Sequence, residues 1–366
     1  MKKRKHTKTI MVGTVPVGGS SPVSVQSMTS TDTRDAGSTI RQIRRLERAG
    51  CDIVRVAVPD EQAAAVLGAI VKAASIPVIA DIHFSHRLAL QSLEAGVHGL
   101  RINPGNIGAA SRVRQVVDAA RQRSVPIRIG INAGSLEKDI LKKYGRPSAQ
   151  ALAESALRNV GLIEDMGYDQ LKISIKSADV PTTVEAYRLV SKKTRYPLHI
   201  GVTEAGTLFS GTIKSAIGLG ILLQDGIGDT LRVSLSADPV EEVRVGFAIL
   251  QCLGLRRSGP ELISCPTCGR RQIDVVRLAA RVEKHLVRSR APITVAVMGC
   301  EVNGPGEARE ADIGIAGSRS RGVIFKKGRI VKTCPQERVF EEFLRELEGL
   351  EQEAAPDRAA GTKKHS

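Results

Sequence analysis

The chain has 366 residues, 42% of them hydrophobic, and a net charge of +16. That composition excludes a disordered chain and supplies apolar material for a large domain and a smaller one. No apolar run is long enough to span a bilayer, and no apolar segment or cleavage site of a signal peptide follows the basic residues 1–6. Aromatics make up 3% and Trp is absent, so the core must be built from Val, Ile, Leu and Ala, as in α/β proteins. Six cysteines, half of them grouped like ligands, point to a reducing cytoplasm rather than to disulfides.

After the basic start, residues 9–22 read as turn-rich, and residues 23–28 form the first strand-like run. Further strands are expected at 52–58, 76–82, 99–103, 126–132, 170–175, 197–202 and 230–235. Amphipathic helical stretches lie between them, for example at 39–49, 62–73, 149–166 and 182–193. Eight strands alternating with helices predict a (β/α)8 TIM-type barrel over residues 1–253. A doubly wound open sheet is the other arrangement, but no G-x-G-x-x-G follows the first strand. Residues 254–260 read as a Gly/Arg/Pro linker. Residues 261–350 then predict a small α+β domain with a helix at 274–288, strands at 293–297, 313–316, 322–325 and 329–332, and a final helix at 336–347. The Ala-, Pro- and charge-rich residues 351–366 read as a disordered tail.

The barrel strands carry polar residues at period two. Arg101 and Asn103 share a face, as do Arg128, Gly130 and Asn132, then Lys172, Ser174 and Lys176, then Arg232, Ser234 and Ser236. Asp81 and His83 form a further pair. The alternate positions are Ile, Leu and Val, which suit packing against helices, so the polar set should face the lumen. Five cations sit at comparable positions: Arg55, Arg101, Arg128, Lys172 and Arg232. Buried like charges are costly without a partner. Inward carboxylates are few, chiefly Asp81 and Glu204, so the missing counter-charge is expected to be a ligand with several negative charges, such as a diphosphate.

In the second domain, Cys265-Pro266-Thr267-Cys268 presents two thiols from one tight turn. Cys300 follows the strand-like 293–297, and the Gly304-Pro305-Gly306 turn can return Glu307 towards it. Soft thiolates select zinc or iron–sulfur clusters. Three Cys and one exchangeable carboxylate suit a [4Fe–4S] cluster with one reactive iron. A four-cysteine site using Cys334, with Glu307 a solvated loop residue, is the alternative. Cys51 and Cys252 read as small buried hydrophobes.

The segments Ser264-Cys265-Pro266-Thr267-Cys268-Gly269-Arg270 and Met298-Gly299-Cys300-Glu301-Val302-Asn303-Gly304-Pro305-Gly306-Glu307 resemble the cluster motifs of the bacterial 4-hydroxy-3-methylbut-2-enyl diphosphate synthases. The resemblance extends through the barrel in Val25-Gln26-Ser27-Met28-Thr29, Ala80-Asp81-Ile82-His83-Phe84, Leu100-Arg101-Ile102-Asn103-Pro104-Gly105-Asn106, Arg128-Ile129-Gly130-Ile131-Asn132 and Val202-Thr203-Glu204-Ala205-Gly206. It implies an iron–sulfur oxidoreductase of isoprenoid precursor synthesis, of the two-domain form. The implied reaction is a two-electron reductive ring opening and dehydration of 2-C-methyl-D-erythritol 2,4-cyclodiphosphate. By the resemblance, Cys265, Cys268, Cys300 and Glu307 ligate the [4Fe–4S] cluster. Arg55, Arg101, Arg128, Lys172 and Arg232 hold the diphosphate, with Asn132 and His83 beside them. Glu204 is the barrel-mouth acid/base, against a local reading in which its carboxylate caps backbone N–H groups near Gly206. Reduced flavodoxin or ferredoxin, acidic proteins that a +16 surface attracts, would be the electron donor.

The eighth helix should return to the face of the barrel opposite its reactive mouth, so the linker begins on the far side. A homodimer in which each second domain caps the partner's barrel resolves this, in agreement with the family's arrangement. A basic RNA-binding protein is disfavoured by the lack of stacking aromatics and of an RNA-binding motif, and a zinc-dependent barrel lyase would differ in metal content.

Overall fold

The computed structural model describes residues 1–354 except 258, 290, 301–307 and 319. The chain divides into two compact units, Met1–Arg256 and Arg257–Ser366. Among the described residues no helix is long and apolar enough to cross a membrane.

The first unit opens with a hairpin, β1 (Ile10–Val12) and β2 (Val15–Val17), where the sequence suggested only turns. Eight parallel strands follow: β3 (Ser24–Met28), β4 (Ile53–Ala57), β5 (Val78–Asp81), β6 (Gly99–Ile102), β7 (Ile127–Asn132), β8 (Leu171–Lys176), β9 (His199–Ile200) and β10 (Thr230–Leu231). Their order is β8-β7-β6-β5-β4-β3-β10-β9, and a parallel bridge between Ile173 and Leu198 joins β8 to β9 and closes the ring. The expected (β/α)8 barrel is therefore present, with β9 and β10 shorter than the sequence suggested.

Helices start where the loops after the strands supply caps. The side chains of Asp35, Asp60, Ser85, Ser148, Asp179 and Asp238 each accept a backbone N–H from the first turn of the following helix. Outward strand residues such as Val54, Val56, Leu100, Ile129, Ile173, Ile175 and Leu231 are buried against those helices. Inward residues are polar except at the N-terminal end, where Ile53 and Ile79 pack on Ile10, Val12 and Val17. The hairpin thus plugs the floor of the barrel with apolar side chains and leaves the upper lumen polar.

The last barrel helix, Pro239–Cys252, is followed by residues that still belong to the barrel. Arg256 pairs with Asp52 (2.5 and 2.9 Å) and lies over the Phe247 ring. Cys252, expected to be buried, is exposed, whereas Cys51 is buried and burial pushes its thiol up to about 12.

The second unit is a five-stranded sheet in the order β11 (Glu261–Ser264), β12 (Thr294–Met298), β13 (Ile313–Gly317), β14 (Arg321–Lys326) and β15 (Arg329–Pro335). Strands β11 to β13 are parallel, and β14 is antiparallel to both its neighbours. Helices Val275–Leu286 and Val339–Ala354 cover one face through Leu278, Val282, Phe343 and Leu347. Gly314 faces Phe325 across the β13–β14 pair, where a Cβ would come within 2.2 Å of the ring. The final helix runs to Ala354, past the residue 350 boundary read from sequence. The edge strand β11 was missed because its four residues are largely exposed and carry no alternation.

Candidate active site

Register builds the barrel site. Asp81 on β5 pairs with Arg101 on β6, Arg101 with Arg128 on β7, and Arg128 with Lys172 on β8. One carboxylate and three cations therefore stand side by side on four consecutive strands, all buried. Arg101 reaches Asp81 at 3.3 Å, and Arg55 from β4 reaches it at 3.6 Å. His83, half-exposed just beyond β5, lies 3.2 Å from Arg101 and 3.6 Å from Asp81. Burial opposes ionisation of Asp81, but Arg55, the hydrogen bond from His83 and Arg101 outweigh it and hold the carboxyl well below the usual range. Gly130 makes room for Arg101: a Cβ there would sit 2.4 Å from its Nε.

The cations outnumber their partners. Arg128 is 1% exposed and touches Gln26 Oε1 at 3.3 Å, while among the described residues its Nε has no hydrogen bond. Lys172 is 1% exposed and, among the described residues, its Nζ has no partner. Burial, with Arg55 nearby, brings its amine down to about 7. Arg55 is brought down to about 10 by burial, a shift that Asp81 opposes. A buried cation with no acceptor is expensive unless a ligand supplies one.

Three further members of this group had no site role from sequence, although Lys176 stood in the lumen-facing polar set. Lys176, four residues beyond Lys172 on the same face, is buried and packs beside Gly201, where a Cβ would be 3.1 Å from its Nζ. Burial and the surrounding Arg232 and Arg55 push its amine well below the ordinary value. The signal for Lys176 was its period-two spacing from Lys172. His199 on β9 is fully buried and held neutral, first by burial and then by Lys176 and Lys172. Glu242, on helix Pro239–Cys252, bonds Arg232 (3.0 and 3.2 Å), Ser27 (3.0 Å) and the Leu235 N–H (3.1 Å). A strand pattern gives no sign of a carboxylate arriving from a helix. The expectation that Glu204 shares the inward role with Asp81 is corrected: the second carboxylate among the lumen cations is Glu242, which pairs with Arg232, and Glu204 is exposed.

Glu204 lies in the loop after β9, at the C-terminal end of the strands, in the left-handed region with φ +51°. A non-glycine residue there is strained and is often found at functional sites. The backbone-capping alternative does not hold: the next helix begins at Leu208 behind Thr207, and among the described residues the Glu204 carboxylate has no hydrogen-bond partner. Asn132 ends β7, half-buried.

A diphosphate beside Lys172 would favour its charged form. Binding is therefore expected to take up protons above about pH 7 and to weaken as pH rises, by at most about tenfold per pH unit. Calorimetry in buffers of different ionisation enthalpy reads this uptake. Equal heats in all buffers would contradict it.

In the second unit, Cys265 follows β11 and Cys300 lies two residues beyond β12, so two neighbouring parallel strands deliver both to the same end of the sheet. The Gly299 N–H donates to Cys265 Sγ at 3.0 Å. A Cβ on Gly299 would lie 3.2 Å from that sulfur and 3.6 Å from Val275, the first residue of helix Val275–Leu286. Arg271 N–H bonds the Cys268 carbonyl and Gln272 N–H the Gly299 carbonyl, which ties the Cys265–Cys268 turn to the Cys300 turn. The Arg270 N–H draws the exposed Cys268 thiol below its usual range, helped by the Arg270 side chain. N–H donors, a helix N-terminus and a nearby guanidinium all favour thiolates, so this donor set fits a thiolate-ligated group. Among the described residues no three Cys, His, Asp or Glu side chains close on a single ion. Glu307 lies outside the described residues.

Cys334 is on β15, at the opposite edge of the sheet from β11. Four interstrand steps of about 4.8 Å put it roughly 19 Å from Cys265. It is half-buried, and burial followed by Glu342 raises its thiol. The four-cysteine alternative loses its fourth ligand.

These features define a two-domain (β/α)8-barrel protein with a cationic lumen and a thiolate site. The chain belongs to the GcpE family: residues 7–247 match the GcpE TIM-barrel domain and residues 261–349 the GcpE protein C-terminal domain. It is 62% identical over 347 residues to the 4-hydroxy-3-methylbut-2-en-1-yl diphosphate synthase (flavodoxin) of Geobacter sulfurreducens, covering 95% of this chain and 98% of that protein. It is 60% identical to the protein of the same name from Desulfotalea psychrophila, covering 96% and 98%. A dihydropteroate synthase from Yersinia pestis is similar in fold, with TM-score 0.50 and 13% identity over 68% of this chain and all of that one. At that identity the likeness speaks for the barrel alone.

Proposed function

We propose that this protein opens the ring of 2-C-methyl-D-erythritol 2,4-cyclodiphosphate reductively and releases 4-hydroxy-3-methylbut-2-enyl diphosphate. Counted on fully protonated phosphates, the reaction consumes two electrons and two protons and frees one water. The observation that supports this reading is the lumen itself: a row of buried cations in which, among the described residues, Lys172 Nζ and Arg128 Nε have no acceptor, in a chain so similar to proteins named for that product.

Arg101, Arg128 and Lys172 hold the diphosphate along their row, with Arg55 and Lys176 flanking and Arg232 held in place by Glu242. Asn132 and His83 contact the substrate at the rim. Glu204, at the reactive face of the barrel, gives a proton to the oxygen that leaves as water. Cys265, Cys268, Cys300 and Glu307 would ligate a [4Fe–4S] cluster. Bound there, it supplies electrons one at a time and an iron of Lewis-acid character. The electron donor is reduced flavodoxin, named in the relatives, or ferredoxin. Free thiols suit the cytoplasm.

The protein acts as a homodimer, each second domain closing the partner's barrel. The Arg256–Asp52 pair supports this, because it fixes the chain's exit at the N-terminal end of β4, opposite the loop that carries Glu204.

The test is anaerobic turnover with reduced flavodoxin, followed by phosphorus NMR. Cyclic diphosphate signals should give way to those of a linear diphosphate ester. Protein with intact iron and sulfide that leaves the cyclic compound untouched would overturn the reading.

A further inference from the structure

Helix Val275–Leu286 buries Val275, Leu278, Val282 and Leu286 and turns a second, charged face outward. At about 100° per residue, Arg277, Arg281 and Lys284 fall within roughly 60° of one another. All three are exposed, and Arg288 follows in the closing turn. Val276 and Val287, 59% and 55% exposed, form an apolar ridge beside the stripe with Ala280. Among the described residues the stripe has no ion pair; the helix's pairing to Glu351 comes from His285, on another flank. Arg281 rests on the Phe340 ring at 3.7 Å, over a groove that Asp274 and Glu337 also line. Glu283 lies on the far side of the apolar ridge.

Position gives the stripe its meaning. The helix begins against the Cys265 turn, as the shared neighbours of Gly299 show, and Arg277 is on its first turn. The line of cations therefore starts at the thiolate site and runs about 17 Å away from it. We propose that this face docks the acidic flavin protein that reduces the site, a flavodoxin. An apolar ridge beside a charged flank is the anatomy of a transient protein interface. Charge complementarity steers the encounter. A nucleic acid would call for exposed aromatics to stack on, and the helix has none. The inference rests on the reading of Cys265, Cys268 and Cys300 as the redox ligands. Each encounter moves one electron from the reduced flavin into the site and oxidises the flavin by one electron. Two encounters supply the two electrons of ring opening.

The test uses the iron-loaded holoenzyme with two electron sources: reduced flavodoxin and reduced methyl viologen. Arg277→Glu, Lys284→Glu and Arg288→Glu are combined. The apparent KM for flavodoxin is expected to rise about tenfold or more and to lose its dependence on salt. The viologen-driven rate should stay within about twofold. Lys327→Glu with Arg329→Glu, at the β14–β15 turn, should change neither. An unchanged flavodoxin KM with unchanged salt dependence overturns the proposal. If the triple variant loses iron, Lys284→Glu alone, two turns from the thiols, is read the same way against an expected rise of about threefold; no rise overturns the proposal. Wild-type protein that ignores the cyclic diphosphate even with viologen overturns the functional reading, and the docking inference with it.

Discussion

Replacing Lys172 with Met is expected to make the substrate-free protein more stable and the enzyme much worse. Lys172 is 1% exposed, has no hydrogen-bond partner among the described residues, and has its amine brought down to about 7 by burial. An unfolded lysine stays charged to about pH 10.4. Its folded pKa is depressed, so below pH 7 the folded chain carries a charge it would rather release, at a cost on the order of 3–5 kcal/mol. As pH rises from about 7 towards 10.4 that cost fades. A Met of similar length removes it and adds buried apolar surface. The thermal midpoint at pH 6 should rise by roughly 5–10 °C, and the gain should shrink above pH 8. The value of kcat/KM for the cyclic diphosphate should fall by about a hundredfold, mostly through KM, because a charged contact to phosphate is lost. Calorimetric melts across pH, set beside steady-state kinetics, check both halves. A lower melting point with normal kinetics would make Lys172 a structural residue and remove it from the site.

The second large effect separates two cysteines that sequence alone could not. Cys300→Ser is expected to lose most of its iron and to cut turnover by about three orders of magnitude. Cys334→Ser should keep wild-type iron and turnover within about twofold, because four strand spacings separate it from Cys265. Its stability should drop by no more than about 1 kcal/mol, since the thiol is only half-buried. Iron analysis and turnover of the two variants, prepared side by side without air, give the answer. Loss of iron from Cys334→Ser would restore the four-cysteine reading.

The barrel was legible because its strands alternate: apolar residues such as Ile129 and Ile173 face helices while Arg128 and Lys172 face the lumen. That alternation also gave most of the cation row, which needs only strand register to assemble. Glu242 was invisible because it reaches the lumen from a helix, where no strand periodicity reports it. The plugging hairpin was hidden by Gly13, Pro16 and Gly18, which read as turns although they allow a tight two-strand ribbon. Strand β11 is too short and too exposed to show a pattern. The thiols were found by spacing. Excluding Cys334 needed the strand order, which no local pattern contains.

The metal content of the wild-type chain prepared without air tests the redox assignment of the thiols most directly, and that assignment is specific. It predicts about four irons and four sulfides per chain with no zinc, and a broad visible absorption that bleaches on reduction. One zinc per chain without sulfide would contradict it and leave the thiols a structural site.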